Sequence, residues 1–118
     1  MYGTIDKKVF NNDDLPRLPD PTTYPIFSDK YKIRRFDLDA NMHVHNLNYL
    51  NFAYELLPEN IFYGPEFNNI EIFFKHEIKL GQMIHSFLYN DPDHKNGYII
   101  CIKNEDETIT HSNIKLYN

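Results

Sequence analysis

The sequence predicts an α+β fold in which one helix lies against an antiparallel sheet. Residues 46–57 carry apolar side chains at helical spacing. Beyond residue 69, several segments instead alternate apolar and polar residues with a period of two. Those segments follow one another across short turns, which implies a meander of neighbouring strands. A helix followed by such a run buries its apolar side by covering the sheet.

At 118 residues the chain is one unit with room for a core, yet small enough for a partner's burial to matter. Nine Phe and nine Tyr, without Trp, suit strands. Seventeen acidic residues against twelve Lys and Arg give a charge of −5, which argues against nucleic-acid binding, because neutralising phosphates needs clustered cations. No apolar stretch is long enough to span a membrane, and residues 1–8 lack the apolar centre of a signal peptide. Cys101 is the only cysteine, so no intrachain disulfide forms. In Tyr98-Ile99-Ile100-Cys101-Ile102 it reads as a small buried hydrophobe. These features predict a soluble, cytoplasmic protein.

Residues 1–29 read as a mostly extended leader or linker, and 30–118 as the folded domain. Pro16, Pro19, Pro21 and Pro25 fix φ and keep the residues before them out of helix. Residues 30–37 form a first strand with Tyr31, Ile33 and Arg35 on one side. The run Lys30-Tyr31-Lys32-Ile33-Arg34-Arg35 reads first as a solvated strand edge and second as a docking patch for an acidic partner. The helix over 46–57 follows from Leu47, Leu50, Ala53, Tyr54 and Leu57. Pro58 closes it, and Asn46 is the expected N-cap. A long strand runs over 70–80, where Ile70, Ile72, Phe74, His76, Ile78 and Leu80 share a face, and Gly81 breaks it. Strands over 83–89, 98–103 and 108–117 complete the set.

Polar groups concentrate at 36–49, just before the helix. Asp39, Asn41 and His43 stand at i, i+2 and i+4, which in extended chain places them on one face. A carboxylate there can orient an imidazole, and a carboxamide can donate to a developing oxyanion. The free amides of the helix's first turn add positive potential at the same point. The same residues also serve as turn and cap residues, with His43 an ordinary polar side chain. A third reading is a metal site on His43, His45 and Asp39, but two histidines without a full ligand set give it little weight. Glu77 by itself reads as a solvent-facing glutamate on the strand. Partial burial would fit it to act as a general base.

Asp39-x-Asn41-x-His43-Val44-x-Asn46-x-x-Tyr49 resembles the signature that leads into the central helix of the acyl-acyl-carrier-protein thioesterases. The Leu-Pro-x-Leu-Pro leader, the helix ending at Leu56-Leu57-Pro58 and the strand with Lys75-His76-Glu77 ahead of Gly81 fall in the family's order. The likeness covers about residues 15–117. It implies a hotdog fold, a central helix wrapped by a curved antiparallel sheet. It also implies hydrolysis of the thioester joining a fatty acyl chain to acyl carrier protein, with release of free fatty acid. The family's catalytic positions carry over to Asp39, Asn41, His43 and Glu77, with Glu77 activating water. No metal or organic cofactor is implied.

Three departures qualify the likeness. His45 stands where the family usually has the first of two asparagines. Ile78 stands where plant members often have a cysteine, so water is the simpler nucleophile. The family is normally a tandem of two hotdog units, and this chain resembles the C-terminal one. A partner is therefore expected, either a second copy or an N-terminal hotdog half. The alternatives are a single-hotdog acyl-CoA thioesterase and a non-catalytic half that binds acyl chains or completes a partner's fold.

Overall fold

The computed structural model describes residues 8–10, 24–40 and 42–118. Among them the elements are β1 (Lys8–Phe10), β2 (Phe27–Lys32), α1 (Asn46–Glu55), α2 (Glu59–Phe62), β3 (Asn69–Phe74), β4 (Met83–Asn90), β5 (Tyr98–Asn104) and β6 (Thr110–Tyr117). The strands form one sheet in the order β1-β3-β6-β5-β4-β2. β1 pairs with β3 in parallel, and every other pairing is antiparallel. The meander expected after residue 82 is β4-β5-β6. β3 and β2 add to its two sides.

Alternation decides which side chains meet the helix. Ile70, Ile72, Ile84, Leu88, Ile100, Ile102, Ile114 and Leu116 are buried on one face. Against them lie Leu50, Ala53, Tyr54 and Leu57 of the predicted helical stripe, with Tyr49, Phe52 and Leu56 also buried. The buried arc is thus wider than the predicted stripe. Each buried Leu or Ile contributes roughly 1.5–3 kcal/mol, so this layer is the main source of stability. Cys101 is fully buried on the opposite face, beside Phe87, Tyr89 and Ile99.

Several boundaries differ from expectation, each for a local reason. β2 opens at Phe27, inside the segment read as a leader, and Lys8–Phe10 of that segment extends the sheet. The boundary at 29/30 is therefore not a structural one. β2 also ends at Lys32. Arg34 N–H donates to Asp37 Oδ2 (2.7 Å) and Asp37 N–H to the Arg34 carbonyl (3.0 Å), coiling Arg35–Asp37 into a 3-10 turn. Arg35 thus leaves the strand. The long strand over 70–80 stops at Phe74, so Glu77 lies in the following loop. The amides of Lys75 (2.8 Å) and His76 (3.2 Å) both donate to the His111 carbonyl. Two consecutive amides on one acceptor break the alternation that a ladder requires.

Candidate active site

The loop before α1 folds as a tight turn, not as the extended segment that the i, i+2, i+4 spacing required. Met42 N–H donates to the Asp39 carbonyl (3.0 Å), and Met42 takes φ +66°. Asp39 N–H donates to the His43 carbonyl (2.8 Å), and Asp39 Oδ1 accepts His43 N–H (3.1 Å). Asp39 therefore fixes the backbone that presents His43. Asn41, the third member of the expected cluster, lies outside the described residues. A single bridge between Leu38 and Val44 closes the loop, and Val44 is buried beneath it.

His45, not Asn46, caps α1. Its Nδ1 accepts Leu47 N–H (3.1 Å), and Asn46 is the first helical residue. An imidazole nitrogen with a free lone pair performs the task that Ser or Asn oxygen usually performs. This commits His45 Nδ1 to the backbone and away from a metal. Among the described residues, no group of three or more His, Cys, Asp or Glu is placed to hold one.

The chain brings His43 and Glu77 together. His43 Nδ1 contacts Glu77 Oε1 directly, with the side chains 59% and 46% exposed. A carboxylate only accepts, so Nδ1 carries a proton. The pair places a carboxylate and an imidazole together at the N-terminal end of α1. It lines a shallow cavity of about 350 Å³ with Val44, Tyr49, Phe74, Lys75 and His76.

Tyr49 is a site residue that the sequence offered only as a motif position. It is buried, packs edge-on against Phe74 with centroids 4.9 Å apart, and receives a hydrogen bond from the Ile78 amide. Burial, reinforced by the Glu77 charge, pushes its phenol up to about 12, so it stays protonated at neutral pH. A larger cavity of about 470 Å³ lies on the β2 side of α1, lined in part by Tyr31, Arg34, Asp37, Asn51, Phe52 and Glu55. There Tyr31 donates to Asp37 (2.9 Å) and Arg34 to Tyr31 (3.1 Å), so these polar groups bind one another. No histidine is among its lining residues.

Residues 23–117 match the model of the acyl-ACP thioesterase C-terminal domain. The chain belongs to this family. The acyl-ACP thioesterase domain is 33% identical over 79 residues to the chloroplastic oleoyl-acyl carrier protein thioesterase 2 of Arabidopsis thaliana, matching 64% of this chain and 21% of that protein. It thus spans about a fifth of the relative's length. Its fold is similar to that of the 12:0-ACP thioesterase of Umbellularia californica (TM-score 0.74, 17% identity, 90% of this chain and 40% of that one). It is also similar to a Staphylococcus aureus hypothetical protein in complex with CoA (TM-score 0.64, 20% identity, 76% of this chain and 71% of that one). These likenesses make the helix-in-sheet arrangement of the domain a hotdog fold.

Proposed function

We propose that this domain hydrolyses fatty acyl thioesters of acyl carrier protein and releases free fatty acid. The observation that carries the reading is the contact between His43 and Glu77 at the start of α1. In this scheme the pair takes a proton from water, and the hydroxide attacks the thioester carbonyl carbon. The carbonyl oxygen becomes an oxyanion, stabilised by the positive end of the α1 dipole and by the Asn41 carboxamide that the family motif supplies. The C–S bond then breaks, and the proton held by the pair passes to the leaving thiolate. Asp39 holds the loop that presents His43. This scheme uses no metal or organic cofactor.

Two features support a carrier and a partner unit. Lys30, Lys32, Arg34 and Arg35 are exposed on and beyond the edge strand β2, giving an acidic chain a cationic margin that suits an acidic carrier. The base and imidazole are both substantially exposed, whereas catalysis gains from excluded water. A second copy or an N-terminal hotdog half over the cavity would exclude it. The proposed setting is the cytoplasm, where a lone buried thiol such as Cys101 stays reduced.

The test is hydrolysis of one acyl chain presented on carrier protein and on coenzyme A. A higher kcat/KM for the carrier thioester is expected. Preference for coenzyme A would favour the single-unit acyl-CoA reading, and turnover of neither would favour a non-catalytic half.

A further inference from the structure

The Glu77 side chain is about half exposed, so its position depends largely on the backbone on either side. After it, Ile78 is fully buried and its amide is bound to the Tyr49 hydroxyl. Before it, the amides of Lys75 and His76 are bound to His111, near the start of β6.

His111 is only 2% exposed. Its carbonyl accepts the Lys75 and His76 amides, and its Nδ1 lies 3.0 Å from the His76 carbonyl oxygen. A carbonyl only accepts, so Nδ1 carries the ring proton. Nε2 is buried without a hydrogen-bond partner among the described residues. It therefore bears the lone pair, because a second N–H there would be a buried donor without an acceptor. Burial, first among the causes, lowers the pKa of the imidazole and keeps the ring neutral. Three hydrogen bonds from one side chain and its own backbone thus fasten 75–76 where the chain leaves the sheet.

We propose that His111 is a positioning residue for Glu77, setting the carboxylate's place against His43 by clamping the turn that carries it. The proposal rests on the reading of Glu77 as a catalytic group. His111 touches neither substrate nor water in this scheme. Its effect is geometric, and a displacement of about 1 Å in such a constellation costs on the order of 10²-fold in rate.

The experiment is a double-mutant cycle on acyl-carrier-protein hydrolysis, with nitrogen-15 NMR of the histidine rings. His111→Leu keeps an apolar side chain in the buried site and removes the donor. Its expected effect is a roughly ten- to hundredfold lower kcat with little change in KM. His111→Asn, whose amide nitrogen can occupy the place of Nδ1, is expected to recover most of the rate. In a Glu77→Gln background, His111→Leu is expected to change the residual rate by less than about twofold, since a residue acting through Glu77 has nothing left to position. Equal losses from His111→Leu in both backgrounds would overturn the positioning role while leaving Glu77 in place. Full activity of Glu77→Gln, or no turnover by the unaltered chain, would instead remove the reading of Glu77 and the proposal with it. The NMR arm needs no variant, so it holds even if His111→Leu fails to fold. A neutral ring protonated at Nδ1 is expected, and protonation at Nε2 would overturn the clamp.

Discussion

His43 donates its Nδ1–H to the Glu77 carboxylate although neither side chain is buried. An exposed pair of this kind adds little to stability, typically below about 1 kcal/mol. Its geometry is set elsewhere, by the Asp39 turn on one side and by the end of β3 on the other.

Removing the pair should therefore leave the fold nearly unchanged. His43→Ala and Glu77→Gln are each expected to shift unfolding free energy by no more than about 0.5 kcal/mol. Denaturant melts of the two variants check this. A loss of several kcal/mol from either would mean that the pair is structural.

The helix cap makes the opposite prediction. His45→Ala removes the acceptor for Leu47 N–H and is expected to cost about 1 kcal/mol, whereas His45→Asn retains most of the stability. The denaturation midpoints of the two variants separate the cap from a general effect of removing the ring. Equal losses would refute the cap.

Tyr49 predicts an alkaline effect. Its phenol is near 12 in the folded chain, above the usual 10, so folding favours the protonated form. The resulting stability is complete below about pH 10. It is lost as pH rises from about 10 to about 12, because the unfolded chain ionises first. Denaturant melts across this window should show stability falling with pH, with a shallower fall in Tyr49→Phe. An identical fall in that variant would contradict the assignment.

The cationic margin predicts a substrate-dependent effect. Lys32→Glu with Arg35→Glu is expected to raise KM for a carrier-protein thioester and to leave KM for a small soluble thioester unchanged. The difference should shrink at high salt. Equal changes for both substrates would remove the docking role of this edge.

Core packing predicts a graded loss. Ile100 is fully buried against α1's side of the sheet, so Ile100→Val is expected to cost about 0.5–1.5 kcal/mol, and Leu50→Ala about 2–5 kcal/mol. Thermal melts check both. Near-wild-type stability of Leu50→Ala would mean that α1 is not held by this face.

What was legible in the sequence follows the strength of its periodicities. The helix stripe through Leu50, Ala53 and Leu57 and the turns around Asp91 and Glu105 gave α1 and the β4-β5-β6 meander, because burial on one face forces those patterns. The end of β3 was not legible. Alternation continues to Leu80, but the ladder stops where His111, distant in sequence, captures the amides of Lys75 and His76. The same event moved Glu77 from strand to loop. The His45 cap is not legible because Asn46 is a commoner capping residue, and only the fold shows which of the two precedes the first turn. Asp39 and His43 stand out in the sequence by the density and spacing of polar groups around them. Their arrangement as a turn depends on the φ of Met42, which a non-glycine residue rarely signals.

The central claim is that Glu77, with His43, activates water against a thioester. Its most direct test is the rate of acyl-carrier-protein hydrolysis by Glu77→Ala beside the unaltered chain, with unfolding temperature measured on the same samples. The account predicts a loss of at least about 100-fold with the unfolding temperature preserved. An unchanged rate in the folded variant would contradict it.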